Sequence, residues 1–409
     1  MKIASKWIVM AVLGLSGTVI FTLPFLREFF YEPLRQSLHL SNTQSGLLMA
    51  TYGAASLVAY PIGGWLADRV SSRLLIALSL VTTGLLGFIL ATLPSFQIAL
   101  LIHAIWGFST VGMMWGAMMK ATRDWASADQ QGQAFGLLEA GRGLSEAALA
   151  SLMVAAFAWL GGDIPAFSKV IIIYSTIHLA LAYVVWRTLE PDRPQRDDDS
   201  TKFGIADLFL VLKKPSVWLI AIVVLTSYSA YWGAFYFTPY ASEVFGMSVV
   251  AAGFIAAGKV WLKPIFAAAA GFAADRIGIW QTVTIGFVVL MVSFAGFAML
   301  SGGASLVGLM IVNIVIASIA IFAHRGIYFA LLEECRISPK LTGSAVGVIS
   351  MIGYTPDIFM PLLGGVLLDD HGGARGYQIY FGIISGLCLL GLLATWQIGR
   401  IHGRAALSR

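Results

Sequence analysis

Apolar residues run through this chain in blocks of about 20, broken by short polar turns. Residues 74–119 contain no Asp, Glu, Lys or Arg, and neither do residues 277–323. Each run is long enough for two membrane-spanning helices of about 20 residues with a turn between them. The turns are visible as Leu93-Pro94-Ser95 and Ser301-Gly302-Gly303. The same reading predicts helices over 7–26, 44–67, 74–92, 97–121, 132–160 and 168–187. A second set is predicted over 215–238, 249–273, 281–300, 305–331, 341–368 and 377–399. The expected fold is therefore an all-α membrane protein of twelve transmembrane helices. A soluble protein would need polar helix faces, and the sequence lacks them.

Composition agrees: of 409 residues, 58% are hydrophobic and 11% charged, against about 25% charged in soluble domains. Lys2 and Lys6 before the first apolar run resemble a secretory signal, but no small-residue cleavage site follows, so 7–26 is read as the first span. Cys335 and Cys388 are too few and too far apart for a disulfide framework or a metal site. No cofactor is expected.

The net charge of +5 has its cause in topology. With the N-terminus inside, 18 of the 26 Lys and Arg fall in inner loops and tails, among them Arg69, Arg73, Lys120, Arg123, Lys213, Lys214 and Arg276. The outer loops hold only Arg27, Arg35, Lys169 and Arg375. This asymmetry predicts that both termini are cytoplasmic and removes nucleic acid as a partner. The longest polar stretch, 189–214, contains "RPQRDDDS" and reads as a cytoplasmic linker between six-helix bundles at 1–188 and 215–409.

Two inner turns repeat. "GWLADRVSSR" (64–73) and "GFAADRIGIW" (271–280) each follow the second helix of a half, 207 residues apart. Gly132-x-x-x-Gly136 and Gly343-x-x-x-Gly347 form a second pair, 211 apart, with the small-residue spacing that lets helices approach closely. Together they predict a parallel duplication, as in transporters with a central midplane site. Gly64-x-Leu66-Ala67-Asp68-Arg69-x-Ser71-x-Arg73 resembles the signature turn of the major facilitator superfamily, and Gly271-x-Ala273-Ala274-Asp275-Arg276 its degenerate second copy. Ser71 replaces the family's glycine and Ser72 one of its basic residues, which implies a looser turn. The resemblance implies that Asp68 locks the cytoplasmic side shut against the N-terminus of the eleventh helix. An acid there is worth up to roughly 1–2 kcal/mol. The competing reading is that Asp68 and Arg69 only mark a turn. "FYEPLRQSLHLSNTQSG" (30–46) and "QQGQAFGLLEAGRG" (130–143) resemble the YihN-type bacterial branch, some of whose members are associated with sulfonated-sugar metabolism. The resemblance implies a bacterial inner-membrane location and a monomer.

Away from helix ends, the third, sixth, ninth and twelfth helices carry no charge. The fifth carries Glu139, Arg142 and Glu146, the eighth Lys259 and Lys263, the tenth Arg325 beside His324, and the eleventh Asp357. In the resembled fold the uncharged four face lipid and the charged ones line or flank the central cavity. Seven unpaired charges at helix centres would cost about 20 kcal/mol, at roughly 2.5–3.5 kcal/mol each. Pairing and a water-filled cavity remove most of that. Glu139, Arg142 and Glu146 share one helical face, as do Lys259 and Lys263. The resembled packing puts Glu146 and Lys259 at one depth, and Asp357 lies 211 residues after Glu146 as its repeat image. One reading makes these static salt bridges. The other has Arg142, Lys259, Lys263 and Arg325 bind an anionic group while Glu139, Glu146, Asp357 or His324 carries a proton. In "SYSAYWGAFYFTPY" (227–240), Tyr231, Trp232, Phe235 and Tyr236 are candidates to gate the outer mouth or stack on a sugar, against the ordinary reading of an interfacial aromatic belt. Pro239 is expected to end that helix.

The leading expectation is a secondary transporter of a small hydrophilic organic anion, a sugar acid or sulfonate, driven by protons. A proton-driven drug exporter is the first alternative. Its family motif is rich in proline, and residues 132–160 contain none. A membrane enzyme has no visible machinery: HExxH, GxxxxGK[ST] and CxxC are all missing from the sequence. A non-transporting receptor is the remaining class.

Overall fold

The computed structural model describes residues 6–127, 130–190, 210–338 and 341–402. Most of the expected linker, and the expected inner cations Lys2, Arg193, Arg196, Lys202, Lys340, Arg404 and Arg409, lie outside the described residues. The first half of the chain forms α1 Lys6–Thr22, α2 Tyr31–Ser37, α3 Asn42–Arg69, α4 Ser72–Ala91, α5 Phe96–Gly107, α6 Gly116–Trp125, α7 Gln131–Trp159 and α8 Ile164–Thr188. The second forms α9 Pro215–Gly233, α10 Phe237–Glu243, α11 Val249–Val260, α12 Leu262–Ile277, α13 Ile279–Met299, α14 Val307–Ile327, α15 Leu331–Glu334, α16 Thr342–Gly353, α17 Pro356–His371 and α18 Gly373–His402. Among the described residues, 10 helical runs are long and apolar enough to cross a membrane. The 17-residue α1 and the 29-residue α7, which carries three charges, occupy the other two predicted positions.

Several predicted spans are not continuous, and proline is the usual cause. Pro24 has no N–H and disfavours a helical Leu23, so α1 ends at Thr22 rather than near 26. The eighth span breaks at Trp261, where Pro264 offers no N–H to the Val260 carbonyl. The eleventh breaks at Tyr354–Thr355, and Pro356 restarts it at the first helical position, where its missing N–H costs nothing. Pro239 does not end the seventh span as expected. That helix loosens at 234–236, and Pro239 sits in the first turn of α10. The fourth span holds a π-helical stretch, Phe108–Trp115, between α5 and α6.

Capping sets the turns. Ser41 and Gln44 form a reciprocal capping box at the start of α3. Asp163 accepts from the Ala166 N–H at 2.9 Å to open α8. Gly302 and Gly303 take φ of 93° and 105°, which only glycine adopts without strain.

The described residues fall into two compact units. The first holds those up to 190 together with Ser248–Trp261, so α11 packs with it, against α7. Here α1 also lies along α7, and α4 along α8, over a core that includes Leu13, Ile76, Leu80, Met114, Leu138 and Val185. The second unit holds 210–247 and the residues from Leu262 on. In it α13 lies along α18, α12 along α14, and α9 against α16 and α18. Its core is aromatic: Phe237, Phe294, Phe297 and Phe381 pack ring on ring. On α4 the stripe Leu74, Leu78, Leu85 and Ile89 is exposed. A wholly apolar exposed face is what a lipid-facing helix needs.

The close helix approach expected of Gly136, Gly343 and Gly347 is made elsewhere. A Cβ at any of those three would meet nothing within 4 Å. The tight crossing is between the second and fourth spans. An ideal Cβ on Gly107 would lie 2.5 Å from the Tyr52 carbonyl, and one on Gly63 or Gly116 would lie 2.9 Å from a carbonyl opposite. The repeat image of this crossing is tight as well: a Cβ on Gly326 of α14 would lie 2.8 Å from the Ala267 carbonyl of α12.

Candidate substrate site and the buried charges

In the second unit, α9, α14 and the start of α17 bring Tyr228, Tyr231, Trp232, Arg325 and Asp357 together. The Arg325 guanidinium lies over the Tyr231 ring at 4.1 Å and near Tyr228 at 5.6 Å. Tyr228 packs edge-on against Tyr354, whose hydroxyl lies 3.2 Å from that of Tyr328. Arg325 Nη1 is buried and has no hydrogen-bond partner among the described residues, and no ion pair to Arg325 occurs among them. Asp357 is held elsewhere: the Trp232 indole N–H donates to its Oδ1 at 2.8 Å. The arrangement keeps a guanidinium charged and flanked by aromatic faces, which suits it, while one fork of its donors is left open.

The aromatic run divides accordingly. Trp232 is 1% exposed and stacked on Phe235 at 4.6 Å, so it positions Asp357 and has no face for a sugar. Tyr236 is buried as well, with its hydroxyl donating to the Pro361 carbonyl at 2.8 Å. Both are packed inside the second unit in this conformation, and Tyr231 is half-buried beside Arg325. His324 is buried and hydrogen-bonded at both ring nitrogens. Its Nε2–H donates to the Val283 carbonyl at 3.0 Å, which leaves Nδ1 to accept from Ser227 Oγ at 2.9 Å.

In the first unit, Lys259 on α11 is buried and makes an ion pair with Glu28 at 3.0 Å. The sequence pairs Lys259 with Glu146 by depth; Glu28 is a partner that reading does not name. Arg27, expected in an outer loop just past a first helix ending at 26, instead joins Glu28 in a short 3-10 turn, and Arg27 is 1% exposed. The signal that marks them is their setting in "FLREFFYEPL", charges embedded in aromatic residues. Lys259 and Lys263 share no continuous helix, because the break at Trp261 separates them; Lys263 belongs to α12 in the second unit. The Trp261 indole N–H donates to Ser151 Oγ at 3.0 Å.

Arg142 pairs with Glu139 at 2.6 Å on the same face of α7, as expected of residues three apart. It is further tied down by its Nε–H to the Gly17 carbonyl at 3.2 Å and by the Trp115 ring at 5.2 Å. Glu139 is half-exposed and Glu146 partly buried.

The repeated turns are tighter than expected. Only Val70 and Ser71 join α3 to α4, and Ser71 accepts from the Leu74 N–H, so the serine that replaces the family's glycine serves as an N-cap. Arg69 folds onto Trp65 at 4.7 Å, Arg73 onto Trp186 at 4.2 Å, and Lys120 Nζ donates to the Ala67 carbonyl at the end of α3. Asp68, Asp275 and Arg276 are exposed. A Cβ at Gly64 or Gly271 would meet nothing within 4 Å.

Residues 7–357 match the family model of the Major Facilitator Superfamily. Inner membrane protein YihN of Escherichia coli (strain K12) is 29% identical over 98% of this chain and 97% of its own. The hexuronate transporter of Bacillus subtilis (strain 168) is 23% identical over 91% of this chain and 90% of its own. The inward-facing, unoccupied crystal structure of a bacterial homologue of the human lysosomal transporter Spinster superposes with a TM-score of 0.78 at 17% identity, covering 98% of both chains. Fold, repeated turns and family match agree: the chain belongs to the Major Facilitator Superfamily and is a multi-pass membrane transporter.

Proposed function

We propose that the protein moves a small hydrophilic organic anion, a sugar acid or a sulfonate, by alternating access coupled to protons. It does so in the inner membrane as a monomer with both termini in the cytoplasm. The observation that carries this reading is Arg325 Nη1, a buried donor without a partner on a guanidinium that has no ion pair among the described residues. A buried charged donor left unsatisfied is costly. A carboxylate or sulfonate satisfies it in the forked geometry that guanidinium prefers. Tyr231, alongside Arg325, supplies an aromatic face for the carbon skeleton. A relative named for hexuronate, a sugar acid, supports this class of substrate.

Asp357 is the proton carrier in this reading. Its hydrogen-bond donor, Trp232, is the chain neighbour of Tyr231, over whose ring the Arg325 guanidinium lies at 4.1 Å. A substrate anion and an ionised Asp357 compete for one positive charge, and a proton on Asp357 removes the competition. Trp232 holds the carboxylate to one side while the anion is bound. Lys259, Glu28, Glu139 and Arg142 are already paired within the first unit, which supports a structural part for them in the conformation described.

The test is uptake by proteoliposomes across a panel of hexuronates, sulfonated sugars and lipophilic cations. Arg325→Lys, which keeps the charge and loses the fork, should raise KM by roughly tenfold or more for one bidentate contact. Arg325→Met should abolish uptake. Normal KM in Arg325→Met would sink the proposal. Transport of the cations alone would favour the exporter, and ligand binding without any flux would favour a receptor.

A further inference from the structure

An open groove of about 510 Å³ lies where α9 begins and α18 ends, far in sequence from the charges described above. Leu212, Trp218, Leu219 and Ile401 form its apolar walls, with Lys213 and Gln397 at its polar edge. The Trp218 indole N–H donates to the Leu212 carbonyl at 2.8 Å, which fixes the ring as a wall. Trp396, one turn before Arg400, carries that guanidinium on its face at 4.8 Å. Both tryptophans are about half exposed. The 20 residues of 210–219 and 393–402 contain Lys213, Lys214 and Arg400 and no acid.

We propose that this groove binds one anionic phospholipid. The walls offer hydrocarbon contact and no hydrogen bonds to a soluble solute. Exposed tryptophans at helix ends mark the level of lipid headgroups. Lysine and arginine near that level run their alkyl stems along apolar surface and place their charge among the phosphates. An acyl chain lies along Trp218, Leu219 and Ile401, and the phosphate meets Lys213. Gln397 hydrogen-bonds the glycerol end. The net positive edge selects an anionic headgroup over a zwitterionic one. The inference is independent of the transported substrate, since none of these residues belongs to the Arg325 site.

The experiment uses the purified full chain, with retained lipids counted by native mass spectrometry after titration with phosphatidylglycerol or phosphatidylcholine. Wild type should retain one phosphatidylglycerol in clear preference. An interfacial cation is worth about fivefold in affinity, so the two-charge change Lys213→Glu should weaken that binding roughly 25-fold. Arg375→Glu, the same change elsewhere, should leave it intact. If Lys213→Glu does not yield folded protein, Lys213→Gln should show the smaller, fivefold loss. Brominated phosphatidylglycerol should quench the fluorescence of wild type more than that of Trp218→Phe. Equal retention of both lipids, or equal retention by Lys213→Glu and wild type, would overturn the proposal. So would displacement by millimolar inorganic phosphate, which would mean that only the anion is bound. A carbodiimide cross-link from Lys213 to Asp197, Asp198 or Asp199 that added phosphatidylglycerol does not reduce would give the groove to the linker and overturn it as well.

Discussion

Lys259→Met removes the ammonium 3.0 Å from the Glu28 carboxylate, at a place where the two side chains are 2% and 7% exposed. Breaking a buried pair by deleting one partner typically costs 3–5 kcal/mol, because the remaining charge keeps its desolvation penalty and loses its attraction. For a unit of this size, 1 kcal/mol corresponds to roughly 2–4 °C in Tm. The single variant should therefore melt roughly 6–20 °C below wild type. Replacing both partners with uncharged groups is often close to neutral. Glu28→Gln combined with Lys259→Met should thus recover to within about 1–2 kcal/mol of wild type. The assay is loss of the monodisperse chromatographic peak after heating in detergent, at one pH and one lipid content, for the four members of the cycle. A single variant within about 1 kcal/mol of wild type would refute the reasoning. So would a double variant no more stable than Lys259→Met, since Glu28 would then not be what the lysine compensates.

Other outcomes are checked more simply. Asp357→Asn should still exchange internal for external substrate but should not accumulate it in response to a pH gradient; undiminished accumulation would clear Asp357 of the proton. Trp232→Phe removes the indole donor 2.8 Å from Asp357 and keeps the stacking on Phe235, so it should shift the pH dependence of uptake with little change in KM at the optimum. Ser71→Ala removes the N-cap of α4 and should cost about 1 kcal/mol by thermal melting. A reporter after residue 195 should be cytoplasmic and one after residue 163 outside; the reverse would overturn the orientation drawn from the lysines and arginines.

The helices were legible because hydropathy over about 20 residues is set by the bilayer and hardly depends on tertiary contacts. So was the pairing of Glu139 with Arg142, which needs only helical spacing. What was not legible depends on single local events. Pro24, Pro264 and Pro356 are all visible in the sequence, yet prolines also occur within intact helices here, such as Pro61 in α3. Nothing short of the packing tells which ones break the chain. Moving the end of α1 by four residues turned Arg27 from an expected loop residue into a buried one, and Glu28 beside it into a partner of Lys259. Trp232 and Tyr231 are neighbours with the same composition-level expectation. Both rings pack on Phe235, yet one meets Asp357 and the other Arg325, and only the rotation of α9 separates their roles.

Gly64 and Gly271 stand with room for a side chain in the conformation described. An alanine at either place, inside a helix with room for its Cβ, should therefore hold or slightly raise the melting temperature of this conformation. Any effect on turnover must then arise from a conformation in which that room is gone, because a substitution shifts an equilibrium only by treating its two ends differently. The pair gives a way to weigh a state by what it refuses to accommodate. Graded substitution at Gly64, from alanine through valine to leucine, would lower turnover in steps set by side-chain volume. The steepness of that series measures how tightly the unseen state closes around the repeated turn.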